Sequence, residues 1–339
     1  MKKTLIALAV LAASSASMAQ VTLYGVADIA LGAVSAKSYT NAAGVVVPAT
    51  DDKLNMQTNG GTTGNFNDGN SRWGIKVVED LGSGLKATAQ FEQNIDYSTG
   101  ATGTADARYA YLALDGGFGR VKAGRTLSPS FFGVAAWEIT GTANFSAVGG
   151  QFGFAGAGSR NSREFSYTTP NMGGFSATLG YVTELDGIEN GGLGSKLDAN
   201  AIYSGGPLAV GLSYWKNDKV AAGASSDGNY ALGASYNFGG FILAGSWQDA
   251  AGDTQGFSLG ASVPVGQWKF AVDVAQDTAY EDTDFVLYAG YSLSKRTTLY
   301  TDFRRDGKSG KTAKSAAGVT GLKTGVDSDT YGVGIRMNF

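Results

Sequence analysis

Apolar and polar side chains alternate with a period of two in many short stretches of the chain. In YGVGIRMNF (331–339), Tyr, Val, Ile, Met and Phe occupy the odd positions, and Gly, Arg and Asn occupy the even ones. Because successive side chains of a strand point to opposite faces, this period predicts β-strands with one apolar face. The same alternation occurs in WGIKV (73–77), LKATAQFE (85–92), FSATLGYVT (175–183), LAVGLSY (208–214), YALGASYNF (230–238), WKFAVDV (268–274) and FVLYAGYSL (285–293).

The connections between these stretches fall into two classes. Seven are tight and mostly glycine-rich: 81–84, 115–119, 171–174, 204–207, 237–240, 264–267 and 292–295. Others are longer, notably 36–70, 128–158 and 307–326. Seven hairpins supply fourteen strands, and the first (21–31) and last (330–339) segments bring the count to sixteen. An even number of antiparallel strands, with short periplasmic turns and long extracellular loops, predicts an all-β fold: a sixteen-stranded antiparallel transmembrane β-barrel over residues 20–339.

A secreted water-soluble β-protein, such as a sandwich, is the alternative, because its strands alternate too. Sixteen strands with one apolar face in nearly all of them, in a chain without cysteine, favour contact with lipid. Only 16% of the residues are charged, whereas about 25% is usual for soluble domains. No stretch has the roughly 18 consecutive apolar residues of a transmembrane helix, so a membrane-spanning chain of this composition would cross with strands.

The first nineteen residues are typical of a secretory signal peptide. Lys2 and Lys3 precede an apolar run (5–13), and small residues lie at Ser17 and Ala19. We therefore expect export and a mature protein that begins at Gln20; an uncleaved membrane anchor, which needs a longer apolar run, is the alternative. Without the two lysines the chain has 24 basic and 29 acidic residues, a net charge of −5, which argues against a nucleic-acid partner.

Several motifs resemble the general porins of Gram-negative bacteria, especially the β-proteobacterial family. They are QVTLYGVADIAL (20–31), SRWGIKVVEDLGSGLKATAQFE (71–92), FGRVKAGR (118–125), YTTPNMGGFSATLGY (167–181) and the terminal Phe339. The resemblance implies a homotrimer in outer-membrane lipid and lipopolysaccharide, with a third extracellular loop folded into the pore. It implies passive passage of ions and small hydrophilic solutes, without a cofactor. It also implies that Phe339 is part of the signal for the barrel-assembly machinery.

Charged residues indicate which parity faces the lumen. Arg at the bilayer midplane costs roughly 2–4 kcal/mol, so the even positions of 71–95 are expected to line water. These positions include Arg72, Lys76, Lys86, Thr88, Gln90, Glu92 and Asn94. In ADARYAYLAL, the pattern predicts Tyr109 and Tyr111 facing lipid and Arg108 facing the lumen. In SRNSREFSYTT, outward aromatic residues place Arg160 and Glu164 inward.

We therefore predict that Arg72, Arg108 and Arg160, from strands 2, 4 and 6, project into one sector of the lumen. The resemblance implies that such a cluster at the constriction faces acidic residues, and the candidates are Glu92 on the wall and Glu138 in the third loop. Fixed charges across a narrow pore tune its ion selectivity, and an excess of cations favours anions. The alternative is that these are solvated lumen residues without special grouping.

Three further basic residues bear on this assignment. Lys86 has the lumen parity and is the remaining candidate constriction residue. Arg125 and Arg163 have the lipid-facing parity, but both lie near strand ends, where a β-bulge could re-aim them. Their roles stay open at the sequence level.

Segment 128–158 is the candidate constriction loop. It is long and apolar, and Glu138 is its only charged residue. Exposed loops are usually more polar, so packing against the inside of the barrel wall explains this composition better than an exposed flexible loop does.

Other functions leave weaker traces in the chain. With no His and no Cys, the usual His-assisted Ser or Cys nucleophile is unavailable, so we predict no enzyme. GKSGKT (307–312) fails as a phosphate-binding loop because Arg305 stands where glycine is required.

The basic stretch 304–314 could contact lipopolysaccharide phosphates or be merely solvated, and the acidic residues of 51–70 lack the calcium-loop spacing. A solute-specific channel, typically with aromatic residues along its lumen, and a barrel with adhesive or structural loops remain as alternatives.

Overall fold

Sixteen long strands form the body of the protein. The computed structural model describes residues 19–36, 39–40, 46–47, 53–60, 66–153, 159–184, 194–218, 228–250, 254–279, 281–307 and 328–339. The barrel strands are β1 (Gln20–Ala36), β2 (Arg72–Gly82), β3 (Leu85–Ile95), β4 (Thr102–Gly116), β5 (Gly119–Leu127), β6 (Arg160–Thr168), β7 (Phe175–Val182), β8 (Lys196–Gly205), β9 (Leu208–Asn217), β10 (Asn229–Asn237), β11 (Ile242–Asp249), β12 (Gln255–Val265), β13 (Trp268–Asp277), β14 (Asp282–Ser292), β15 (Thr297–Asp306) and β16 (Ser328–Asn338).

The remaining elements within the described residues are short. Three short strands lie between β1 and β2: Tyr39–Thr40, Val46–Val47 and Asn55–Gln57. Two helices, α1 (Pro129–Ala135) and α2 (Ala147–Phe152), lie between β5 and β6. Neither helix in the part of the chain that the structure describes is long and apolar enough to cross a membrane.

The sheet closes on itself. Each barrel strand pairs antiparallel with the next, and β1 pairs with both β2 and β16. Its first half, from Gln20 to Val26, pairs with β2, and its second half, from Val26 to Ala36, pairs with β16. The predicted sixteen-stranded antiparallel barrel is therefore confirmed, and the seven predicted tight connections each join two consecutive strands.

The two faces of the wall differ as the alternation predicts. Large apolar residues on the outer face remain exposed, for example Leu23 (65%), Leu112 (68%) and Leu259 (63%). Inward positions instead carry small or polar residues that are fully buried, such as Ser213 and Asp198. Apolar residues outside and polar residues inside reverse the arrangement of a soluble protein and suit a lipid-facing barrel.

Phe339 extends the last strand by one residue against the beginning of the first. Its backbone N–H donates to the Gly25 carbonyl oxygen at 3.0 Å, and the Gly25 N–H donates back to the Phe339 carbonyl oxygen at 3.0 Å. A side chain at position 25 would lie 2.6 Å from the Arg72 carbonyl oxygen and closer still to the Phe339 ring. Glycine is therefore required where the aromatic ring crosses β1. The role of Phe339 as an assembly signal stays a prediction.

A β-bulge changes which residues of β4 face the lumen. Tyr109 lies opposite Glu92, and Arg108 is the extra residue that has no partner in the ladder. Beyond the bulge the even positions face outward, so Leu112 is exposed and Tyr111 turns inward. The prediction that Tyr109 and Tyr111 face lipid is wrong, because one extra residue reverses the parity of a strand.

A second bulge, between β5 and β6, alters the alternation around Arg160. The register passes from Gly124 opposite Glu164 to Thr126 opposite Asn161, and Arg163 adopts a positive φ of 52°. The Asn161 amide donates to the Glu164 carboxylate at 2.8 Å, so both side chains lie on the inner face. The uninterrupted pattern gave Arg160 and Glu164 the same parity and placed both on the inner face. Because of the extra residue between them, their parities differ in the structure.

Candidate functional site

The loop between β5 and β6 lies inside the barrel. Helix α1 begins at Pro129, and the Ser128 hydroxyl caps it by accepting the Phe131 N–H at 3.2 Å. Inward-facing side chains of β8 and β9 hold the helix: Asp198 accepts the Ser130 N–H at 2.7 Å, and the Ser213 hydroxyl donates to the Ser130 carbonyl at 2.6 Å. Because these wall residues face the lumen, the loop occupies part of it.

The second half of the loop lies against a different part of the wall, formed by β13 to β15. The N–H of Val148 in α2 donates to the Asp273 carboxylate of β13 at 3.4 Å. Phe145 stacks on Tyr288 of β14 with 5.4 Å between ring centroids. The described loop residues, 128–153, thus contact the inner wall from β7 to β15, and residues 154–158 of the predicted constriction loop lie outside the described residues.

Trp137, between the two helices, explains the apolar composition of the loop. It is only 2% exposed and lies over Gly211 of β9 and Gly233 of β10. A side chain at Gly233 would lie within 2.6 Å of the indole nitrogen. Gly211 and Gly233 on the inner wall therefore leave the space that the Trp137 ring of the loop occupies.

Arg72 and Arg108 share one carboxylate, that of Glu92. The Arg108 Nε lies 2.6 Å and the Arg72 Nε 3.6 Å from Glu92 Oε1. Arg108 also donates to the Asn94 side-chain oxygen at 3.1 Å. Glu92 is 3% exposed, whereas both guanidinium groups keep some contact with solvent. Two cations on one anion leave a local excess of positive charge at the wall.

Arg160 contacts this group through a hydrogen bond to the backbone of Arg108. Its Nε donates to the carbonyl oxygen of Arg108 at 3.2 Å, and its Nη1 donates to the Ser159 hydroxyl at 3.0 Å. Arg125 of β5, which lies opposite the bulge in β6, is also held on this side of the barrel, because its Nη1 donates to the Ser162 hydroxyl at 2.6 Å. The side chains of Arg72, Arg108 and Arg160, which we call the arginine group, therefore lie close together. Arg160 is separated from the rest of its strand by the bulge.

Glu138 and Lys86 do not lie in this group. The Glu138 carboxylate accepts hydrogen bonds from Thr140, Thr142 and Ser146, all within the loop itself, at 2.5–2.8 Å. It is 7% exposed and organises the loop between the two helices. Lys86 lies next to the turn that joins β2 and β3. At about 3.3 Å per residue, it is roughly 20 Å along the strand from Glu92.

The segment of residues 66–71, which we call the loop-1 segment, was not identified from the sequence. It folds into the lumen, where Phe66 is 1% exposed against Gly32 and Gly332. The Asp68 carboxylate pairs with Nη1 of Arg336 on β16 at 2.6 Å. The lumen parity of Arg336 was visible in the last strand, but a loop residue such as Asp68 carries no periodic signal.

The loop-1 segment and the third loop meet at Asn144. The Asn144 N–H donates to the Asp68 carbonyl oxygen at 3.0 Å. Its side-chain amide donates to the side-chain oxygens of Asn67 at 3.0 Å and Asn70 at 2.8 Å. The two loops therefore form one continuous structure across the lumen.

The structure gives no support for a metal site or a lipopolysaccharide site in the described part of the chain. Among the described residues, no group of three or more His, Cys, Asp or Glu side chains is arranged to hold a metal ion. Residues 51–52 of the acidic stretch and 308–314 of the basic stretch lie outside the described part of the chain. Lipopolysaccharide contact stays a prediction.

Comparisons with known proteins agree with this architecture. A family model described as Gram-negative porin matches residues 4–312. Outer membrane porin protein 32 of Delftia acidovorans is 36% identical over 373 residues, with both chains covered completely. A solved anion-selective porin from Comamonas acidovorans superposes with a TM-score of 0.71 at 28% identity, covering 95% of this chain and 100% of that one.

A further solved structure shares only the fold. OmpT of Vibrio cholerae, described in a trimer form, has a TM-score of 0.64 at 14% identity and covers 95% of this chain and 99% of its own. The family and the names of the relatives indicate a channel rather than an enzyme, located in the outer membrane. With a closed sixteen-stranded barrel, an inward-folded third loop and a family match over most of its length, the chain belongs to the Gram-negative porins.

Proposed function

We propose that this porin conducts ions and small hydrophilic solutes by general passive diffusion, with a mild preference for anions set by Arg72, Arg108 and Arg160. The observation that carries the proposal is the sharing of Glu92 by two guanidinium groups, with a third beside them. A wall with more fixed cations than anions raises the local concentration of anions and lowers that of cations. The similar porin from Comamonas acidovorans is described as anion-selective, which supports the same direction.

The test is the reversal potential of the purified protein in a planar bilayer under a KCl gradient. The test variant replaces Arg72, Arg108 and Arg160 with Gln and also carries Glu92→Gln, since a buried carboxylate without partners would destabilise the barrel. We expect the reversal potential to move toward that of a non-selective pore. The control replaces Lys86, Lys295 and Arg296 with Gln, because these cations lie at turns away from the group. An unchanged reversal potential in the test variant would refute the proposal.

We also infer that the protein is a homotrimer, as the family resemblance implies. Support comes from the trimer form described for the OmpT structure, which shares the fold. The same recordings test it, because a trimer closes in three equal conductance steps and unheated protein migrates as a trimer in detergent gels. Single steps from folded protein would argue for independent barrels.

A solute-specific channel is the second candidate, because aromatic side chains do reach the lumen. Tyr24 and Tyr111 both hydrogen-bond to the Gln90 side chain on the inner face. The rings of Tyr109 and Tyr111 are in edge-to-face contact, with 5.8 Å between their centroids. Concentration-dependent block of the current by a sugar or an aromatic acid, weakened by Tyr109→Ala, would favour this candidate over general diffusion.

A further inference from the structure

We propose that Asp68 and Arg336 form a second charge pair of the constriction, in which the Asp68 carboxylate limits the anion preference of the pore and the Arg336 guanidinium increases it. The loop-1 segment supplies the carboxylate and the last strand supplies the guanidinium. The inference rests on the proposed function in one respect: it assumes that fixed charges at the wall set the selectivity.

Arg336 lies in the same sector as the arginine group. Its Nη1 lies 3.6 Å from the position of a Cβ at Gly69, and the Nη1 of Arg72 lies 3.9 Å from the same position. Two guanidinium groups therefore approach one glycine of the loop-1 segment from neighbouring sides. The side chains of Arg336 and Asp68 remain 27% and 15% exposed, so their charges are partly open to the lumen.

The backbone of the loop-1 segment fixes where the Asp68 carboxylate points. The Asp68 N–H donates to the Tyr300 hydroxyl at 3.1 Å, and the Asp68 carbonyl accepts the Asn144 N–H at 3.0 Å. The next residue is also held, because the Gly69 N–H donates to the Asp28 carboxylate at 2.8 Å. Since these anchors do not involve the Asp68 side chain, an Asn at this position can keep the segment in place.

The charge balance gives the direction of the effect. Neutralising Asp68 removes one negative charge from this part of the wall and raises its net charge by one unit, whereas neutralising Arg336 lowers it by one unit. The neighbouring Arg125 and Asp28 are unchanged in both variants. The lumen is aqueous and screens charge within about 10 Å at 0.1 M salt, so each effect is largest at low salt.

The experiment measures the chloride-to-potassium permeability ratio of three variants at 0.1 M mean salt. We expect Asp68→Asn to raise the ratio about two- to fivefold, as for a unit charge several ångströms from the ion path in water. Arg336→Gln is expected to lower it by a similar factor. The double variant Asp68→Asn/Arg336→Gln restores the net charge, so its ratio should return close to that of the unchanged protein. A purely structural role would not produce opposite shifts that cancel.

Asp115→Asn is the matched control. Asp115 pairs with Arg120 at 2.7 Å, with about one third of each side chain exposed, near the turn between β4 and β5. Its neutralisation changes the charge by the same amount in a different part of the barrel, so the ratio should change by less than half as much. Equal shifts in Asp68→Asn and the control, or no shift in either single variant of the pair, would overturn the proposal.

The two proposals fail separately. If the arginine-group variant changes selectivity and the Asp68 and Arg336 variants do not, only the second charge pair is refuted. If the arginine group has no effect, the general charge mechanism fails. Should Asp68→Asn not assemble, Arg336→Gln tests the same pair from the strand, because it leaves the backbone anchors of the loop-1 segment intact.

Discussion

Removal of the Asn144 side chain should loosen the junction between the third loop and the loop-1 segment. The Asn144 amide makes two hydrogen bonds, of 3.0 and 2.8 Å, to Asn67 and Asn70. Each such bond stabilises by about 0.5–1.5 kcal/mol net, or about 1–3 kcal/mol together. The equilibrium between joined and separated loops should therefore shift by a factor of about 5–150 in Asn144→Ala. The backbone bond from Asn144 to Asp68 remains, so we do not expect the loop to leave the lumen permanently.

Single-channel recording measures this shift, because a loop that separates transiently changes the width of the pore. We expect increased open-channel current noise or brief higher-conductance states in Asn144→Ala, with unchanged barrel assembly. Thr142→Ala is the control, since the Thr142 hydroxyl donates only to the neighbouring Gly141 carbonyl in the exposed part of the same loop. If the noise of Asn144→Ala matches that of the control and of the unchanged protein, the junction does not restrain the loop.

Three further predictions concern closure, loop seating and pH. Gly25→Ala should reduce the fraction of heat-modifiable barrel in detergent gels, because the added methyl group meets the Arg72 carbonyl and the Phe339 ring; normal assembly would show that the ring moves aside. Gly233→Ala should displace Trp137 and raise conductance, whereas Gly240→Ala, in an open turn, should not. Hydrogen bonds from the Ser98 hydroxyl and amide lower the pKa of Asp96, in the turn after β3, to about 2. This stabilisation of the turn is complete above about pH 4 and is lost as the pH falls toward 2. The protection of the turn amides against exchange, measured relative to their intrinsic exchange rate at each pH, should therefore fall over this range in the unchanged protein but not in Asp96→Asn.

The alternating pattern was sufficient for the wall of the barrel. From β7 to β16 the ladders have no register shift, so the alternation of the two faces continues without interruption. Strand periodicity is local, because the side chains of one strand alternate whatever its neighbours are. The tight turns were equally readable, since glycine marks backbone positions that other residues avoid.

The arginine group was predictable only in part. Between Arg72 and Asp80 the pairing of β2 with β3 is regular, and its one irregularity lies next to the turn. Parity therefore placed the side chains of Arg72 and Glu92 on the inner face, as the structure has them. Arg108 reaches Glu92 as the extra residue of a bulge, and Arg160 lies beyond another. A bulge is a mismatch between two paired strands, and neither strand's own pattern contains it.

The sixteen strands, the turns between them and the lipid-facing side could be predicted from the sequence, because they follow from local alternation and from the cost of charge in lipid. The contents of the lumen could not, because they depend on tertiary contacts. The parity of Tyr109 and Tyr111, the internal role of Glu138, and the meeting of Asp68, Asn144 and Arg336 each depend on segments far apart in the chain. Such contacts have no period, so they became visible only when the closed barrel brought two loops against the same wall.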